Sequence, residues 1–165
     1  MSREYRDEEK FPYRGNWVTL TLRGADGDSR GGAALSEDGM SLIVRAERPE
    51  EARRFVLFFY TARTEETIRE LLPVWSKKLG ARPISASVKY AKTRWGSCSS
   101  DGRLFFNSRL SMLSDDVAEY IVVHELCHLK QMNHSRAFWD CVEAALPTCR
   151  ALRRKLRIEG QSAQL

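Results

Sequence analysis

The three histidines of this chain all lie between positions 124 and 134, and a glutamate accompanies them. His124 and His128 are four residues apart, and Glu125 directly follows the first of them. Residues four apart share one face of an α-helix, so two imidazoles at this spacing can bind one zinc ion. Glu125 is turned by about 100° around the helix axis. It therefore lies beside the metal, where a general base can take a proton from zinc-bound water.

The residues before this motif predict the helix that it requires. Ser114 is a favourable N-cap, and the two aspartates that follow it suit the first turn of a helix. Apolar residues then recur at helical spacing up to the motif. Two buried histidines and a carboxylate need a partner for every polar atom, and a metal ion supplies such partners. The sequence therefore predicts a metal site on this helix.

The third metal ligand has two candidates. His134 lies just before a predicted helix that starts near Ser135, and a short turn could fold it over the first two histidines. Glu143 lies on that helix, where many HExxH enzymes carry a ligand. We favour His134, because no other role explains a lone histidine there. The spacing also matches the metzincins, but those need glycine where Gln131 stands. We expect Cys127 to be a small buried residue, since a thiolate ligand would close the open catalytic position.

Size and composition favour a cytoplasmic protein of one domain, residues 1–165. A chain of 165 residues can bury its own core. It has no apolar run of membrane-spanning length and no apolar signal-peptide segment, so we expect no membrane partner. The net charge of +5 comes partly from a basic cluster at 150–157. This charge suits a nucleotide or nucleic-acid partner and equally a solvated helix face. The four cysteines lack CxxC spacing, so we expect free thiols.

The N-terminal part is predicted to contain an arm and two strands. Residues 1–15 are expected to form a flexible arm, and 16–51 a strand region. Within it, 16–22 and 40–46 alternate polar and apolar residues, as half-buried strands do. The Gly/Asp/Ser-rich stretch 24–32 between them predicts a loop.

From residue 50 onward, the sequence shows helical periodicity, then strand periodicity, and then helical periodicity again. Residues 50–60 and 64–79 predict two helices, with Thr64 as the N-cap of the second and Gly80 just after its end. Two strands joined through a Ser-Asp-Gly turn follow, and three helices close the chain. Those strands are 85–91 and 103–109, and the helices begin near 114, 135 and 148. This order of elements indicates an α+β fold.

Three motifs occur together in the second half of the sequence. They are RWGSC at 94–98, FNSRL at 106–110, and VHELCHL at 123–129 with NHS at 133–135 and Phe-Trp at 138–139. In this combination the chain resembles the YgjP-like metallopeptidase family, which is related to the SprT-type zinc proteases. The resemblance covers about residues 52–157. It implies a minimal zincin fold, in which a small antiparallel-edged sheet packs against the HExxH helix and further C-terminal helices.

The resemblance also implies a function. It implies zinc held by His124, His128 and His134, and a metallopeptidase that hydrolyses peptides or proteins with zinc-bound water activated by Glu125. A nucleoside-triphosphate pyrophosphatase could use the same metal site, because activated water can attack phosphorus as well as carbon. A non-catalytic, nucleic-acid-associated zinc module is a third alternative. Glu125 argues against that module, since a purely structural zinc needs no base.

Substrate contacts are expected at Arg94, Trp95, Gly96 and Ser97. If this segment forms the sheet edge beside the site, its backbone groups could bind an extended peptide by strand addition. Arg94, with Lys92, could instead bind a phosphate group. A structural role is equally compatible with the sequence, with the tryptophan in the core and the arginine paired with a carboxylate.

Overall fold

The computed structural model describes residues 3–24 and 31–165, which form two small β-sheets and a set of α-helices. The strands are β1 (Lys10–Tyr13), β2 (Asn16–Arg23), β3 (Gly32–Leu35), β4 (Ser41–Arg45), β5 (Ser85–Lys89), β6 (Gly96–Cys98) and β7 (Arg103–Asn107). The α-helices are α1 (Pro49–Leu79), α2 (Asp115–His128), α3 (Arg136–Ala145) and α4 (Cys149–Ser162), and a 3-10 helix spans Ser108–Met112. This architecture confirms the predicted α+β class.

The N-terminal sheet has the strand order β1-β2-β4-β3. β1 and β3 pair antiparallel with their neighbours, whereas β2 and β4 run parallel to each other. β2 and β4 confirm the strands predicted at 16–22 and 40–46. β3 was not predicted, because four residues of the sequence Gly-Ala-Ala-Leu carry too little alternation. The predicted loop at 24–32 falls mostly on 25–30, outside the described residues.

Residues 3–15 pack against the rest of the chain, so the expected flexible arm is wrong for this segment. The side chains of Tyr5 and Phe11 are only 6% and 0% exposed. The Arg3 guanidinium donates a hydrogen bond to the carbonyl oxygen of Ser162 at 3.0 Å. Single aromatic residues among charged ones give no periodic signal, so the packing of residues 3–15 could not be predicted from the sequence.

α1 runs without a break from Pro49 to Leu79, so the prediction of two helices is wrong. Thr64, the expected N-cap, is fully buried within α1, and its hydroxyl donates to the carbonyl oxygen of Ser108 at 2.8 Å. The threonine docks α1 on the 3-10 helix instead of starting a new helix. The predicted end is confirmed, because Gly80 adopts the left-handed conformation (φ 59°) that is typical of a residue closing a helix.

The second sheet places the RWGSC segment beside the motif helix. Its order is β5-β7-β6, with β5 parallel and β6 antiparallel to the central strand. The predicted strands at 85–91 and 103–109 correspond to β5 and β7, and β6 is an additional edge strand between them in sequence. β6 packs against α2. The antiparallel edge agrees with the expected sheet.

The last three helices form the layer that carries the histidines. Ser114 is the N-cap of α2, as predicted, but its hydroxyl hydrogen-bonds Glu159 of α4 at 2.8 Å. Ser135 caps α3 and accepts a hydrogen bond from the backbone N–H of Phe138. Within the described residues, no helix is both long and apolar enough to cross a membrane.

Candidate metal centre

The turn between α2 and α3 brings the three histidines together. The Nε2 atoms of His124 and His134 are 3.2 Å apart. One ring nitrogen from each of these residues and from His128 lies within 4.8 Å of the others. Two ligand nitrogens on a tetrahedral zinc ion are roughly 3.3 Å apart when each Zn–N bond is about 2.05 Å. The three imidazoles therefore fit a single zinc ion after small side-chain adjustments.

The protonation of the histidines also suits a metal. Nδ1 of His128 lies 3.1 Å from the carbonyl oxygen of Gln131, which can accept its N–H and leave Nε2 free to coordinate. Burial lowers the pKa of His124 to about 3, and the charges of His128, His134 and Arg153 act in the same direction. Burial lowers the pKa of His128 as well. Neutral imidazole is the form that binds metal.

Two aromatic residues of α3 hold the imidazole rings in place. Phe138 stacks on His128 with ring centroids 4.4 Å apart, and Trp139 stacks on His134 at 5.8 Å. In the sequence, Phe138 and Trp139 are recognisable only as part of the family motif. Phe138 and Trp139 follow the N-cap Ser135 by three and four residues, so both lie in the first turns of α3, close to His134. This spacing is the signal in the sequence that could have indicated their contact with the histidines.

Glu125 lies beside the histidines in a tight setting. Its side chain is 6% exposed, and burial raises the pKa of its carboxyl group to about 7. A Cβ atom built on Gly96 of β6 would lie 2.7 Å from Oε1 of Glu125 and 2.8 Å from its Cγ. Only glycine allows the strand to approach the carboxylate this closely.

A cleft of about 520 Å³ opens over Glu125. Its lining comes from the segment before and within β6, from α2 and the turn that follows it, and from α3 and α4: Arg94, Trp95, Gly96, Tyr120, Ile121, His124, Glu125, His134, Trp139, Arg153 and Leu156. Three of the four predicted substrate-contacting residues are therefore at the cleft. Ser97 lies in β6 but does not line it, and neither does Lys92.

The FNSRL motif supports the segment that lines the cleft. The buried Arg109 guanidinium donates to the carbonyl oxygen of Lys92 at 2.8 Å and stacks over Trp95 at 4.8 Å. The side-chain amide of Asn107 donates to the carbonyl oxygen of Arg94 at 2.5 Å. Both side chains replace the hydrogen bonds that an irregular loop cannot make with itself. The sequence alone did not reveal these positioning roles.

The other candidate metal ligands, Glu143 and Cys127, are not part of the histidine group. Glu143 pairs with Arg150 at 3.5 Å and is not part of the histidine group. Cys127 is fully buried, as expected, with its Sγ 3.0 Å from that of Cys141. Burial raises the pKa of the Cys127 thiol, which keeps it protonated. All four cysteines are free thiols, as predicted.

The structure thus combines a mixed α+β fold with a group of three histidines, at the turn between α2 and α3, that could hold a metal ion. The chain belongs to the YgjP-like family, whose metallopeptidase domain matches residues 1–159. The matched model is described as that of a metallopeptidase domain.

Two solved structures show a similar fold. The chain is similar to the metallopeptidase zymogen abylysin of Pyrococcus abyssi, with a TM-score of 0.53 and 23% identity over 59% of this chain and 99% of that one. It is also similar to the metallopeptidase zymogen jannalysin of Methanocaldococcus jannaschii, with a TM-score of 0.50 and 21% identity over 56% and 95% of the two chains. No curated protein matches the sequence.

Proposed function

We propose that the protein is a zinc metallopeptidase in which Glu125 is the general base. The observation that carries this proposal is the position of the buried Glu125 carboxylate in the same cleft as two of the three histidines. His124, His128 and His134 hold the ion in this proposal. When bound, zinc supplies Lewis acidity, which lowers the pKa of water and polarises a carbonyl group.

The proposed work of Glu125 is proton transfer. Its Oε1 accepts a proton from the attacking water and then delivers it to the nitrogen of the leaving amine. The close approach of Gly96 restricts the positions open to the carboxylate, which lines the cleft. Fixed orientation of this kind accounts for a large part of the rate that such a base provides.

The edge of β6 is the proposed peptide-binding strand. Trp95 and Ser99 hydrogen-bond to the β7 side, where Asn107 N–H donates to Trp95 and Ser99 N–H donates to Arg103, each at 2.9 Å. Antiparallel pairing alternates along a strand, so the backbone groups of Gly96 face away from β7. An extended substrate adding to these groups would lie along the wall that contains Glu125.

Gly96→Ala is expected to lower kcat/KM for peptides by about 100-fold with zinc retained, because the added methyl group displaces the carboxylate. Gly32→Ala is the matched control, since a Cβ there meets nothing within 4 Å. The measurements are steady-state hydrolysis and zinc content. Full activity in the Gly96 variant would contradict the proposed position of the base.

A pyrophosphatase is the second candidate, because Arg94 lines the cleft and could bind phosphate with its two-pronged guanidinium. The zinc-loaded protein should be assayed against a peptide library and nucleoside triphosphates, as wild type and as Arg94→Lys. We expect peptide cleavage that changes less than about threefold in the variant, since backbone groups of the edge strand carry the peptide binding. Nucleotide turnover that the variant loses would establish the pyrophosphatase instead. Turnover of neither class would favour the non-catalytic zinc module.

A further inference from the structure

Two arginines line the cleft above Glu125 without a carboxylate partner. Within residues 3–24 and 31–165, neither Arg94 nor Arg153 forms an ion pair, although both side chains are exposed at the cleft. Elsewhere on α4, Lys155 does pair with a carboxylate, that of Asp116, at 2.8 Å. Glu125 is the only acidic residue in the lining, and it lies at the reaction centre. The cleft therefore presents two uncompensated positive charges to a substrate.

The Trp139 ring separates Arg153 from the histidines. Its guanidinium carbon is 4.9 Å from the centroid of the Trp139 ring. That ring is in turn 5.9 Å from the ring of His124 and 5.8 Å from that of His134. Contact with an aromatic ring orders the guanidinium while leaving N–H donors available to a carboxylate. A substrate group within reach of Arg153 would thus be close to the bond that is cleaved.

Arg94 is attached to the proposed peptide-binding strand. Its carbonyl oxygen is held by Asn107, and it precedes Gly96 by two residues. A peptide that adds to the edge of β6 would therefore pass the Arg94 side chain. The hydrogen bond from Asn107 fixes the backbone at Arg94, and the Arg94 side chain lines the cleft.

We infer that the cleft selects peptides with an aspartate or glutamate side chain close to the scissile bond, bound by Arg94 and Arg153. This inference rests on the proposed peptidase function. A hydrogen bond to a charged partner gives about a tenfold preference. We therefore expect kcat/KM for an acidic peptide to exceed that of its amide counterpart by about this factor, and the preference to weaken as added salt screens the charges.

The test uses pairs of peptides that differ only by Glu or Gln at each position within two residues of the scissile bond. Wild type, Arg153→Gln, Arg94→Gln and Arg154→Gln are compared by the ratio of the two kcat/KM values. Arg154 is an exposed α4 residue outside the cleft lining, so its variant controls for loss of one positive charge. We expect the ratio to fall toward one in the first two variants and to stay at the wild-type value in the third. Arg153→Lys should restore part of it.

Two failures are distinguishable. Cleavage of both peptides at equal rates by the wild type, or a preference that persists in both cleft variants, would overturn the inference and leave the peptidase proposal standing. Cleavage of no peptide by the zinc-loaded protein would overturn the peptidase proposal and the inference with it.

Discussion

Glu125→Gln is expected to lower kcat on a peptide substrate by about 1,000-fold, which is within the usual contribution of a general base. Glutamine preserves the shape of the side chain and its contact with Gly96, but it cannot accept the proton of water. The bound zinc should remain, since Glu125 is not a proposed ligand. Single-turnover hydrolysis and elemental analysis of the same preparation test both expectations.

Glu143→Gln is the matched control for this experiment. Glu143 pairs with Arg150 away from the histidines, so its variant should keep both activity and zinc. Near-normal turnover in Glu125→Gln would show that another group takes the proton. Loss of zinc from Glu125→Gln would indicate a ligand role, and loss of zinc from Glu143→Gln would show that the third ligand was assigned to the wrong residue.

His124→Ala and His128→Ala are each expected to reduce zinc from one equivalent per chain to nearly none after dialysis. In the wild type, zinc at about 1,000 times its Kd should stabilise the folded state by about 4 kcal/mol, because it binds the native chain. For a domain of this size, that corresponds to a rise in Tm of about 10 °C. Neither variant should show this rise, which can be measured by calorimetry with and without zinc.

The calorimetric comparison separates metal loss from packing loss. His128 stacks on Phe138, so its removal can lower Tm even without zinc. His134 is exposed and therefore contributes less packing energy than the buried His128. His134→Ala should leave the Tm of the zinc-free protein close to that of the wild type. A zinc-dependent rise in Tm that persists in all three variants would place the metal elsewhere.

Features that depend on a few consecutive residues could be predicted from the sequence. The HExxH spacing, the N-cap at Ser114, the end of α1 at Gly80, and strands β2 and β4 all follow from helical or strand periodicity and from local capping. The preference for His134 over Glu143 is also local, because it depends on a lone histidine that has no other evident role and lies a short turn from the other two. The structure brings the three histidines together, and their role as metal ligands stays a prediction.

Features that depend on distant contacts were decided only by the tertiary structure. Thr64 looked like a helix start, but a hydrogen bond to the carbonyl oxygen of Ser108 uses its hydroxyl inside a continuous helix. The packing of residues 3–15 likewise depends on contacts with the other end of the chain.

The cleft depends on tertiary contacts to a still greater extent. Glu125 is held by a glycine on an edge strand that is 29 positions earlier in the sequence. Arg109 and Asn107 support the loop before that strand through backbone carbonyls, which carry no sequence signature. Ligand spacing along one helix is a local property, and the sequence alone determines it. The setting of the Glu125 carboxylate and the charge of the cleft arise where separate elements meet, so only the folded chain determines them.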